Sequence, residues 1–109
     1  MTDADVERYV LTARLKPGEA AEAERTLLAG PPFDPARAGL SGHTAYLTSD
    51  RVYLVFEGKV ARVKALQLAR EHLVDVGHWQ SIVSDLPSRV DDVPSEARCL
   101  YRWTPESTG

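Results

Sequence analysis

Two β-rich runs, residues 43–48 and 51–57, are separated only by Ser49-Asp50, and this pairing constrains the chain more than any other stretch. A two-residue connection between such runs predicts an antiparallel hairpin, although Ser-Asp is a weaker turn pair than Asn-Gly. The turn fixes the register: Leu47 opposes Val52, Ala45 opposes Leu54 and His43 opposes Phe56. Side chains alternate between faces along a strand, so these six form one largely apolar face. The other face carries Thr44 with Val55, Tyr46 with Tyr53, and Thr48 with Arg51. A slip by one residue would scramble both sets.

The remaining elements arrange themselves around this hairpin. Arg8 to Leu15 alternates as a strand, and Lys16-Pro17-Gly18-Glu19 opens a helix, with Pro suited to a first turn and acids near the positive end of the dipole. Ala20, Ala23 and Leu27 share one face of that helix, which Gly30-Pro31-Pro32 ends. After Gly58, Val63, Leu66, Ala69 and Leu73 form a helical stripe. Gly77 has the character of a C-cap, and Trp79, Ile82, Val83 and Leu86 mark a second helical segment stopped by Pro87. Ser88 to Ala97 is polar and reads as loop, and Arg98 to Trp103 reads as the final strand. The order β-α-β-β-α-β predicts a ferredoxin-like α+β domain, a four-stranded antiparallel sheet with helices on one face. Its core spans about residues 8–103, with tails at 1–7 and 104–109.

At 109 residues, 43% apolar and 27% charged, the chain has room for one domain with one core. Its net charge of -3 argues against general nucleic-acid binding, which needs an excess of phosphate-neutralising cations. The acidic start lacks the apolar core of a signal peptide, and no apolar run approaches the ~20 residues of a membrane span. A soluble, cytoplasmic protein is the expectation. The single thiol, Cys99, cannot form an intrachain disulfide and is expected as a small buried hydrophobe.

The Leu15-Lys16-Pro17-Gly18 corner and the hairpin from Ala45 to Gly58, in this element order, resemble the dimeric α+β-barrel group of ferredoxin-like proteins. That group includes antibiotic-biosynthesis monooxygenases, aromatic polyketide cyclases and haem-degrading enzymes. The resemblance covers nearly the whole chain but rests on pattern, without a catalytic motif. It implies a homodimer in which two sheets meet face to face, and a ligand held between each sheet and its helices. No cofactor is expected. The haem degraders and several of the monooxygenases use an asparagine near the substrate, and this chain has none. Trp79 and His72 have only a superficial likeness to the aromatic and His components of such sites.

Within that framework, an apolar or aromatic ligand is expected near Tyr9, Leu11, Leu54, Phe56 and Trp79, with His43 at the pocket mouth. The face away from the helices would form the dimer seam through Thr12, Arg14, Tyr46, Arg51, Tyr53 and Arg102, joined by Arg8, Arg98 and Glu57. The enzymatic alternative is a cofactor-independent monooxygenase or cyclase acting on a polycyclic phenol. There His43 or Tyr46 would assist deprotonation and Arg51 would stabilise the anion. Stacking of bases on Tyr46 and Tyr53 is a weaker alternative.

Each candidate also has a plain reading. A lone strand-end His is more often hydrogen-bonded packing than a base, and Trp79 sits where a core anchor would. Lys59, Arg62, Lys64 and Arg70 read as a solvated helix surface. His72 and His78 do not share a helix face, and no structural metal is expected. Gly39-Leu40-Ser41-Gly42 is an incomplete nucleophile elbow in a chain too short for the fold that uses one.

Overall fold

The computed structural model describes residues 6–31, 33–71, 77–85 and 87–105. The hairpin forms as the turn chemistry requires: β2 (Gly42–Leu47) and β3 (Arg51–Gly58) pair with Leu47 opposite Val52, Ala45 opposite Leu54 and His43 opposite Phe56. Thr48 closes the turn, donating its N–H to the Arg51 carbonyl at 2.9 Å and accepting the Arg51 N–H on Oγ1 at 3.0 Å. β1 (Glu7–Arg14) lies antiparallel on the other side of β3, with Leu11 opposite Leu54 and Arg14 opposite Arg51.

Two helices and a single turn follow the expected order, with shifted details. α1 (Ala20–Leu28) buries Ala23 and Leu27 as its periodicity requires. Pro17 lies in a turn before this helix, because Gly18 adopts a φ of +83° that breaks helical geometry there. α2 (Ala61–Ala69) turns Ala61, Ala65 and Leu68 inward, whereas Val63 and Leu66 are 61% and 50% exposed. The predicted stripe through Val63 and Leu66 is therefore the outer one. Apolar residues occur around this helix, so periodicity alone could not choose its buried face. His72, Leu73 and Leu86 lie outside the described residues. Gly77 begins α3 (Gly77–Gln80). The helical turn continues to Val83, whose N–H, like that of Ile82, donates to the Trp79 carbonyl at 3.0 Å; there the chain meets β1, Val83 bridging Leu15 and Lys16 donating to the Ile82 carbonyl at 2.7 Å.

The sheet corrects the four-stranded expectation. Among the described residues it has five antiparallel strands, because Ser88–Val90, read as loop, forms the short strand β4. β4 takes the edge beside β1, and β5 (Arg98–Trp103) pairs with β2 at the opposite edge, giving the order β4-β1-β3-β2-β5. Residues 91–97 must then cross the sheet. Four strand spacings amount to roughly 19 Å, within the ~27 Å that eight Cα steps can span. They cross on the face away from the helices, where Val90 and Val93 pack on Val10, Tyr53 and Val55. Arg8 pairs with Asp92 of this strap at 3.0 Å. The face expected to meet a second copy is thus covered at its centre by the chain itself.

A bulge sets the facing of β5. Pairing runs from Ala45–Tyr101 to Tyr46–Cys99, passing over Leu100. The extra residue flips the strand's phase, so Cys99 falls beside Tyr46 and is exposed, contrary to the buried position expected. Arg98, expected on the face away from the helices, instead meets Glu24 of α1 at 2.8 Å. The main core lies on the helix side, with Leu11, Ala13, Leu47, Val52, Leu54 and Phe56 under Ala23, Leu27, Ala65, Leu68 and Trp79.

Candidate functional site

Most residues expected to line a ligand pocket are core. Leu11 and Phe56 are 1% exposed, and Leu54 and Trp79 are also buried. Tyr9 is the exception. It stands on the helix side at the start of β1, half-buried, and opens onto a cleft of about 630 Å³ shared with Glu7, Arg8, Arg62, Leu66 and Arg89.

Three elements build this cleft. β1 supplies Glu7, Arg8 and Tyr9, and α2 lies across the sheet so that Arg62 and Leu66, one turn apart, face them. The Arg62 N–H donates to Glu7 Oε1 at 3.3 Å, which satisfies one of the free donors of the first turn of α2 and fixes the helix against β1. β4 supplies Arg89, held opposite Leu11, whose guanidinium lies 5.6 Å from the centre of the Tyr9 ring. The walls therefore combine an aromatic ring and a leucine with the guanidinium groups of Arg62 and Arg89 and the Glu7 carboxylate; Arg8 borders the cleft, but its guanidinium pairs with Asp92 on the other face of the sheet, and Arg89 lies 3.8 Å from Asp91. Sequence reasoning missed this grouping. Arg62 belonged to an apparently solvated helix face, and Arg89 sits in a strand of three residues, too short to show alternation.

His43 lies in the interior at 1% exposure rather than at a pocket mouth. Its Nδ1 is 2.9 Å from the Val55 carbonyl, an acceptor only, so Nδ1 carries the proton. Nε2 then accepts from the Tyr101 hydroxyl at 2.7 Å. Phe33, Phe56 and Tyr101 rings surround the imidazole with centres 4.7–5.3 Å away. Burial lowers the His43 pKa to about 4, against the smaller opposing effect of the Val55 bond, and burial raises that of Tyr101. Both groups are neutral near pH 7 and bonded to one another. The sheet separates this pair from Tyr46 and Arg51, whose side chains leave the opposite face, so the three catalytic candidates do not form one constellation.

The residues expected at a dimer seam divide into three groups. Thr12 and Tyr53 are buried within one chain. Tyr46 and Arg102 are tied together, the guanidinium donating to the phenol oxygen at 3.4 Å. Arg14 and Arg51 remain, directly opposed at the hairpin end of the sheet. Among the described residues no helix is long and apolar enough to cross a membrane, and no three His, Cys, Asp or Glu side chains gather as metal ligands. No protein-family model matches the chain, and searches of curated proteins and of solved structures return no match.

Proposed function

We propose that this protein binds a small amphipathic anion, an aromatic body bearing a carboxylate or phenolate, in the cleft between β1, β4 and α2. The observation that carries this reading is the composition of that cleft: Tyr9 and Leu66 beside Arg62 and Arg89, with Glu7 as the acid of its lining. Its volume of about 630 Å³ lies in the range, roughly 300–1,000 Å³, of small-molecule sites. Guanidinium groups recognise carboxylates through paired N–H donors and stack on aromatic faces. Titration calorimetry with naphthoates and hydroxynaphthoates tests it. Binding that weakens about tenfold or more in Arg62→Ala and Arg89→Ala supports the site; absence of heat, or affinity indifferent to both variants, sinks it.

The same reading keeps the protein a homodimer, as in the dimeric α+β-barrel group that its hairpin and helix corner resemble. Arg14 and Arg51 face each other across β1 and β3, and like charges in that position repel. Acids on the strap of a second copy, Asp91 and Glu96, would neutralise them in a two-fold arrangement. Light scattering should give a native mass near twice 12.0 kDa that falls towards 12.0 kDa as salt is raised. A monomer at low salt removes the second copy from the proposal and leaves the cleft untouched.

A further inference from the structure

The face away from the helices holds a second recess, at the end of the sheet opposite the hairpin turn. It measures about 250 Å³ and is lined by Arg8, Thr44, Tyr46, Val55, Glu57 and Arg102, with Thr104 at its edge. Thr44 and Val55, 5% and 3% exposed, are its floor. The backbone register explains the walls. Arg8 on β1 opposes Glu57 on β3, Thr44 on β2 opposes Val55, and Arg102 on β5 opposes Thr44. Glu57 thus lies directly beside Arg8, and Arg102 stands in the adjacent row, across Thr44 from Val55.

Each of these groups is held in place. The strap's Asp92 fixes Arg8 at 3.0 Å, and the Tyr46 hydroxyl accepts from Arg102 at 3.4 Å. Glu57 lies over Gly42: a Cβ there would come within 2.6 Å of Glu57 Oε1, so a side chain at 42 would displace the carboxylate from this position. Gly42 has no positive φ to demand glycine, and the carboxylate occupies the space that a side chain at 42 would take. Glu57 also acts electrostatically on Arg102, after the larger effects of Tyr46 and Cys99, in raising the arginine's pKa. Among the described residues the Glu57 carboxylate has no direct ion-pair partner.

We infer that this recess binds a zwitterionic α-amino acid with a compact apolar side chain, its carboxylate on the Arg102 guanidinium and its ammonium on Glu57. Three features select that class. The volume is below the roughly 300–1,000 Å³ typical of drug-sized ligands, so only a few heavy atoms fit. A plain carboxylate would meet repulsion from Glu57, and a plain amine would meet two arginines; each sign of charge in the recess excludes the ligand that lacks its complement. The Tyr46 ring and the Val55 side chain supply an apolar surface for the remainder of the ligand.

The test uses the full chain and three matched sets in titration calorimetry: L-alanine, L-valine and L-leucine, the same molecules without the amino group, and the same molecules without the carboxylate. At least one amino acid should bind, with both truncated counterparts weaker by about tenfold or more, a difference expected for charge-assisted hydrogen bonds. Glu57→Gln should weaken the amino acid while narrowing its advantage over the deaminated analogue. Arg102→Gln should weaken both. Circular dichroism and the thermal midpoint report whether each variant is folded. No binding by any of the three amino acids overturns the inference, as does equal binding within a matched set or an affinity unmoved in folded Glu57→Gln. Arg8 borders both hollows, so the deciding variants are at Glu57 and Arg102, which line the recess and not the cleft, while Arg62 and Arg89 line the cleft and not the recess.

Discussion

The Tyr101 hydroxyl donates to His43 Nε2 across 2.7 Å, joining β5 to β2 over 58 residues of sequence. His43 in turn donates from Nδ1 to the Val55 carbonyl of β3. A chain of two hydrogen bonds thus links three neighbouring strands on the helix side of the sheet. It also pins β5 on the far side of its bulge, where the ladder alone is interrupted.

Removing the phenol oxygen should expose the weight of this link. Tyr101→Phe keeps the ring among its aromatic neighbours but leaves Nε2 of a buried imidazole unpaired, a cost of about 1–3 kcal/mol. Urea unfolding should show a lower midpoint with an unchanged slope. A midpoint equal to that of the parent protein would mean the Nε2 bond adds nothing.

Acid should act through the same imidazole. The unfolded chain takes up a proton near pH 6.5, whereas the folded chain resists until about pH 4, because the buried ring is held neutral. Between those values the unfolded state binds more protons, so stability is full above about 6.5 and falls as pH drops towards 4. The loss from this group is about 3 kcal/mol across that window. His43→Gln can keep a donor for Val55 and an acceptor for Tyr101 without titrating. Unfolding free energies measured from pH 7 to 4 should be flatter in the variant; parallel curves would contradict a depressed pKa.

Thr12 presents the converse case. Its Oγ1 is buried and has no hydrogen-bond partner, the one such side-chain atom found among the described residues. Thr12→Val replaces the hydroxyl with a methyl group of similar size and removes an unsatisfied polar atom, which should stabilise the fold by about 1 kcal/mol. Thermal and urea unfolding should agree on a rise. A fall would reveal a partner for the hydroxyl, such as a bound water.

Cys99 reports on the bulge. Its thiol is exposed beside Tyr46 only because the strand shifts by one residue at Leu100. A chromogenic disulfide reagent should therefore label the folded protein fully without denaturant, at a rate close to that of the unfolded chain. Protection that disappears only on unfolding would mean β5 runs unbulged with Cys99 inward.

The sequence by itself determined the hairpin, its register, the buried side of α1 and the assignment of apolar strand residues to the helix side. These are local quantities: a two-residue turn leaves one pairing that keeps Ala45, Leu47, Val52, Leu54 and Phe56 together, and helical spacing places Ala23 and Leu27 on one face. Only the tertiary structure decided where the C-terminal third goes. The strap across Val10, Tyr53 and Val55, the edge strand bearing Arg89 and the bulge that turns Cys99 outward all depend on pairing between strands far apart in sequence. Alternation within a three-residue strand carries too little signal, and a bulge reverses the alternation it interrupts. The cleft and the recess follow the same rule. Tyr9, Arg62 and Arg89 come from three elements, as Arg8, Glu57 and Arg102 come from three strands, and their chemistry exists only once packing brings them together.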